Sequence, residues 1–176
     1  VEWEPVRGVI PPIGEQQWQE EFAKYQATPE FKIVNKNMTL EEYKGIFYVE
    51  YIHRLLARFA GLVVVIPLLY FLFKGIIPWR KSAVYLAIAL LFAFQGFMGW
   101  YMVSSGLNEI PAVSPYRLTI HLLLALFLLA LTLFMALNHR YGFPQRVEGA
   151  MRSSPFIVSV LVIAVLVLQI SYGGLV

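Results

Sequence analysis

Residues 43–58 read YKGIFYVEYIHRLLAR, and in them a polar segment turns apolar at a glutamate, a histidine and two arginines. In a helix, Glu50 and His53 share a face three residues apart, and Ala57 and Gly61 continue that face at intervals of four. A histidine then stands above a strip of small side chains, with space beside it for a flat ligand. The plainer reading is a helix entering a membrane, with His and Arg at headgroup level and small residues packing a neighbouring helix. Both readings are open on this stretch alone.

The composition decides the environment. Of 176 residues 59% are hydrophobic and 14% charged, and the mean hydropathy of +0.64 is far too apolar for a water-soluble domain of this size. The chain is read as a membrane protein. Its formal charge of +3 sits in short loops between apolar runs, where basic residues set topology, so nucleic acid is not expected as a partner. There is no cysteine, which removes disulfides, thiolate metal sites and thiol nucleophiles. Every acid is a glutamate, and nine of the eleven lie in the first 50 residues.

The predicted fold class is all-α, a polytopic transmembrane helix bundle. Residues 1–38, with Pro5, Pro11, Pro12 and Pro29, are expected as an extramembrane outer segment in which the mixed-charge run 15–36 forms a short surface helix. Residues 39–176 are expected as the membrane bundle, with spans at about 54–73, 83–103, 116–138 and 155–176. Thr39 and Glu42 have capping-box spacing, so a helix starts near Leu40 and runs unbroken into the bilayer. Its apolar part, Leu55 to Phe73, is long enough for a hydrocarbon core of ~30 Å. Gln95, Gly96 and Gly99 read as a close-packing face with the amide bonded across helices. Ser114 and Pro115 suit an N-cap and first helical residue.

Residues 74–81 and 139–153 hold six Lys or Arg between them, which places both on the cytoplasmic or mitochondrial matrix side. The N-terminal segment and the loop around Asn108 then face outward. Val1 opens no signal peptide, although some 50 polar residues must be exported, so an upstream span is expected. The apolar run reaching Val176 has no closing loop. Together these features predict an internal piece of a larger protein.

Topology puts His53 and His121 near the outer ends of their spans. Two histidines facing each other across a helix bundle are the usual way to hold a haem iron on both axial sides. Ala57 follows His53 by four residues and Ala125 follows His121 by four, leaving room for a macrocycle edge. Arg54, Arg58 and Arg117 cluster at the same level, where two propionates need cations near water. The competing reading is a set of interfacial His and Arg anchors. His139, beside Arg140 in the basic inner loop, reads as solvated. A di-iron site needs two Glu-x-x-His motifs and two further acids, and only one such motif is present here.

Three blocks then converge on a family. EYKGIFYVEYIHRLLAR at residues 42–58, QGFMGWYMVSSGL at 95–107 and VSPYRLTIHLLLA at 113–125 resemble the haem A synthase family, and are most similar to its alphaproteobacterial and mitochondrial branch. The blocks occur in the family's order and separation, and the resemblance covers nearly all the chain. It implies about four spans of an eight-span pseudo-symmetric protein: the chain would lack the first span, contain the next three and end inside the first span of the second half. His53 and His121 match the histidine pair of the amino-terminal half, and Glu50 the acid of the Glu-x-x-His motif. That half is implied to receive haem O, while a haem b belongs to the other half. Some relatives carry an outer-loop cysteine pair, which this sequence does not have.

The resemblance implies oxidation of a methyl group of haem O to the formyl group of haem A for terminal oxidase assembly. Glu50 would handle protons or steady positive charge, and Arg54, Arg58 and Arg117 would meet the propionates. Haem O synthase, the oxidase assembly machinery and membrane lipid are the implied partners, with a homo-oligomer possible. The implied location is the bacterial plasma membrane or the mitochondrial inner membrane. Two alternatives from other classes are a bis-histidine cytochrome b-type electron carrier and a non-catalytic haem-carrying assembly factor. A reporter fused within residues 10–30 of the full-length protein is expected to report the outer side of the membrane; cytoplasmic activity of that reporter would invert the topology.

Overall fold

The computed structural model describes residues 10–106, 113–143, 145 and 148–175, which belong to two compact units, Val1–Val113 and Ser114–Val176. The expected outer loop falls largely at residues 107–112 and lies outside the described residues. In the first unit, α1 (Glu15–Gln26) and α2 (Pro29–Ile33) precede α3 (Leu40–Phe73) and α4 (Ala83–Gly106). The expected single surface helix is therefore two. Thr28 breaks it, because its hydroxyl accepts from the Phe31 N–H at 3.3 Å and Pro29 supplies the fixed φ of a first helical residue.

Helix α3 starts where the capping box places it. The Thr39 N–H donates to Glu42 Oε2 at 2.8 Å, and the Thr39 hydroxyl accepts from the Glu42 N–H at 3.4 Å. With 34 residues it is about 51 Å long at 1.5 Å per residue, well beyond the ~30 Å a hydrocarbon core requires. The surplus at its N-terminal end is used for packing. Tyr43, Phe47 and Tyr51 recur every fourth residue, and α1 lays Trp18 and Tyr25 against them. Trp18 meets Phe47 edge-on at 5.0 Å, Tyr25 stacks on Tyr43 at 4.8 Å, and Phe22 and Phe31 close the cluster.

The Tyr25 hydroxyl accepts from Asn35 Nδ2 at 2.7 Å; burial pushes its pKa up, and the Asn35 bond opposes that shift. Tyr43, at 1% exposure, has no hydrogen-bond partner for its hydroxyl among the described residues.

Helix α3 continues through Pro67. Gly75, at φ 68°, then turns the chain into a single 3₁₀ turn, Trp79–Lys81. Buried Ser82 closes this turn by donating to the Trp79 carbonyl at 2.7 Å, and α4 packs back along α3.

The second unit is the pair α5 (Pro115–Tyr141) and α6 (Ser154–Leu175). Pro115 is the first helical residue, but the Ser114 side chain makes no cap bond; only its carbonyl is used, accepting from the Leu118 N–H at 3.0 Å. At the other end α5 outruns the expected span and carries His139 and Arg140 in its last turn rather than in a loop. A cation there favours the negative end of the helix dipole. Hydroxyls inside the apolar helices bond back to carbonyls one turn earlier, as Thr132 does to Leu128 at 2.8 Å and Ser171 to Val167 at 2.7 Å, so none needs water.

Of the expected close-packing face, Gln95 and Gly99 are half-buried. Gly96 is exposed, and a Cβ there would meet nothing within 4 Å among the described residues. A Cβ on buried Gly174 of α6 would lie 2.5 Å from Thr119 Oγ1 and 3.1 Å from Thr119 Cα. Four helices, α3 to α6, are long and apolar enough to cross a membrane, and the chain is an all-α integral membrane protein. Gly174→Ala is expected to cost about 1–3 kcal/mol by overpacking and to lower the thermal midpoint of the detergent-solubilised protein. Thr119→Ala should recover part of that loss, and an unchanged midpoint in Gly174→Ala would contradict the close approach.

Candidate functional site

The aromatic cluster covers one side of the outer turns of α3 and leaves another open. On the open side Met38, Glu42, Gly45, Ile46, Val49, Glu50 and His53 line a groove of about 820 Å³. Its wall is mostly apolar, and Val49 and Ile46 are 73% and 40% exposed. His53 stands exposed at the inner end with Glu50 beside it. A Cβ at Gly45 would meet nothing within 4 Å.

The groove runs from His53 toward the N-terminal end of α3, whereas the sequence directs attention the other way, to Ala57 and Gly61. Gly61 does face open space, but the groove lies along the turns before His53, with Met38 as its lining residue ahead of α3. Met38, Glu42, Gly45, Ile46 and Val49 are thus site-lining residues that sequence reasoning missed. Their recurrence in successive three- and four-residue steps back from His53 was the available signal.

Charges on this segment are paired locally. Lys44 Nζ lies 2.7 Å from Glu41 and 5.7 Å from the Trp18 ring centroid. Glu42 is engaged by the cap. Glu50 accepts a hydrogen bond from Arg54 Nη2 one turn further on, with the two side chains 33% and 17% exposed. The ordering, acid four residues before base, is the favourable one on a helix, and such a pair adds ~0.3–0.5 kcal/mol. Arg58, half-buried, lies a further turn inward.

In the second unit Arg117 and His121 occupy the first two turns of α5 and are both half-buried. Between them Thr119 is held against Gly174, which fixes this end of α5 on α6. His139 is exposed at the opposite end of α5, 18 residues and so about 27 Å along the axis from His121. The structure brings Glu50, His53 and Arg54 together on α3, and Arg117 and His121 together on α5.

Among the described residues no three His, Cys, Asp or Glu side chains gather in a group that could hold a bare metal ion. A single imidazole on an apolar wall fits a metal carried by a flat organic ring, which supplies the equatorial donors itself and asks the protein for axial ones. The donor set and the open apolar groove agree with such a ligand. A cation lies within one or two turns of each histidine.

The comparisons with known proteins agree with this chemistry. Residues 1–176 match the family model COX15-CtaA, described as cytochrome oxidase assembly protein. The heme A synthase of Rickettsia bellii (strain OSU 85-389) is 46% identical over 176 residues, which is all of this chain and 52% of that protein. Those of Rickettsia canadensis (strain McKiel) and Rickettsia felis (strain ATCC VR-1525 / URRWXCal2) are 44% and 42% identical with the same coverage. The chain thus spans about half the length of the curated relatives it matches. No solved structure matches it. With the family model matched from the first residue to the last, the chain belongs to the COX15-CtaA family of cytochrome oxidase assembly proteins.

Proposed function

We propose that this chain is the substrate-holding half of a haem A synthase, in which haem O is bound and one ring methyl is oxidised to the formyl group of haem A. The observation that carries the reading is the placement of Glu50 and His53 side by side on the wall of an open apolar groove, in a chain 46% identical to a heme A synthase. His53 and His121 would hold the haem iron, each through one ring nitrogen, with the other nitrogen left as an N–H donor.

Arg58 and Arg117, with Arg54 as a third candidate, supply guanidinium groups to the two propionates, which prefer the wetter outer end. The apolar wall formed by Ile46 and Val49 excludes water from one side of the ring. Glu50 presents a carboxylate beside the reacting edge, where it takes up a proton or steadies developing positive charge. A carboxylate this close to the apolar region is costly unless paired or used, and here it has Arg54 as a partner. A haem b is assigned to the second half, outside this chain. The product serves cytochrome oxidase assembly, with haem O synthase upstream. The site of action is the bacterial plasma membrane or the mitochondrial inner membrane, with the segment before α3 on the outer side and residues 74–81 and 139–153 on the inner side, by the Lys and Arg surplus.

His53→Ala or His121→Ala in the full-length protein is expected to remove one axial ligand and reduce low-spin haem absorption. Retention of a full complement of six-coordinate low-spin haem in both variants would refute the pair. Glu50→Gln, which keeps the shape and loses the charge, is expected to leave haem bound and slow product formation by about 10²-fold, on the usual scale of acid–base assistance. The measurement is the ratio of haem A to haem O and hydroxylated intermediate in cells. A wild-type ratio at equal protein level would leave Glu50 as a structural partner of Arg54 alone.

A further inference from the structure

We infer that Arg54 is a positioning residue that acts through Glu50, holding its carboxylate on the groove wall, and is not a direct anchor for a substrate carboxylate. This rests on the haem O reading above and refines the roles of the arginines within it.

The inference follows from which groups touch which. Glu50 and His53 both line the groove, whereas Arg54 is not part of that lining and its guanidinium contacts Glu50. Arg54 thus meets the acid from outside the groove lining. Its side chain is the more buried of the two, 17% against 33% exposed, as suits a support rather than a group reaching out for a ligand. The other acids of the outer turns are already occupied, Glu41 by Lys44 at 2.7 Å and Glu42 by the Thr39 cap at 2.8 Å. Arg54 is thus matched to Glu50 and does not serve a general acidic surface.

A glutamate has three rotatable bonds, and an unsupported one on an open wall samples many directions. A guanidinium one turn away presents a planar fork that fixes the carboxylate plane and its heading. Its charge is permanent, so the acid keeps a cationic partner of fixed geometry. If Arg54 instead bound a propionate, the Glu50 carboxylate would lose this partner at the moment of substrate binding. Arg58 and Arg117 remain for the propionates.

The test uses the full-length protein in cells carrying Glu50→Gln, Arg54→Gln, Arg54→Lys or the Glu50→Gln/Arg54→Gln pair. Bound haem and the haem A to haem O ratio are both measured per unit of protein. Arg54→Gln should keep its haem and lose product formation to about the extent of Glu50→Gln, on the order of 10²-fold. The double variant should be no slower than Glu50→Gln alone, because the two residues act as one unit. Arg54→Lys, which keeps the charge but not the fork, should fall between Arg54→Gln and wild type, and it carries the test if Arg54→Gln fails to accumulate.

Three outcomes would overturn the inference: loss of bound haem with normal turnover of what remains, which marks a direct anchor; a wild-type ratio at reduced protein level, which marks a merely structural pair; or defects that multiply in the double variant. If Glu50→Gln shows its defect and Arg54→Gln does not, only this inference falls. A wild-type ratio in Glu50→Gln removes the acid's role and this inference together.

Discussion

The packing of Trp18 and Tyr25 onto Tyr43 and Phe47 decides what the rest of the outer site looks like. A helix that leaves the apolar layer has no reason of its own to expose one face rather than another. Here four buried aromatic side chains cover one side of α3, and each ring pair contributes ~0.5–1.5 kcal/mol beyond the area it buries. The face bearing Ile46, Val49, Glu50 and His53 is left uncovered as a result. The length of α3 makes this possible, because 34 residues provide both a span and several turns on which α1 and α2 can settle.

Glu50 is placed where two requirements meet. It lies at the border of the apolar region, where an unpaired carboxylate is disfavoured, and it lines the groove beside the histidine. Pairing with Arg54 satisfies the first requirement without removing the acid from the groove. A half-buried i,i+4 pair on a helix adds only a few tenths of a kcal/mol, so the proposed value of the pair is orientation of the acid. The same economy appears at α5, where Thr119 contacts Gly174 and the residues on either side of it, Arg117 and His121, ride on a helix end whose position is fixed.

Much of this was legible in the sequence because the signals are local. The capping box at Thr39 and Glu42, the proline that opens α5 and the four apolar runs each depend on residues within one or two turns, and the structure places the helices accordingly. The misses come from longer-range packing. Nothing local distinguishes Gly96, which faces open space, from Gly174, which meets Thr119; the difference is set by which helix lies alongside. The groove was sought at Ala57 and Gly61 because small residues were counted, yet it is bounded by Met38 and by medium-sized apolar side chains on the outward turns. Its location depends on where α1 and α2 fold back. The Glu50–Arg54 contact was available from i,i+4 spacing, but the sequence offered propionates as an equally reasonable partner for that arginine. Helix α5 ran past its expected end because His139 and Arg140 read as loop residues, although a cation in the last turn is favourable.

On the proposed reading, His53 and His121 hold a haem that the protein modifies rather than one it merely uses. Extraction of the haems from the purified full-length protein, followed by their chromatographic identification, tests it most directly. The account predicts haem O and haem A, together with the haem b assigned to the other half. Recovery of haem b alone would contradict it and identify the protein as an electron-carrying cytochrome.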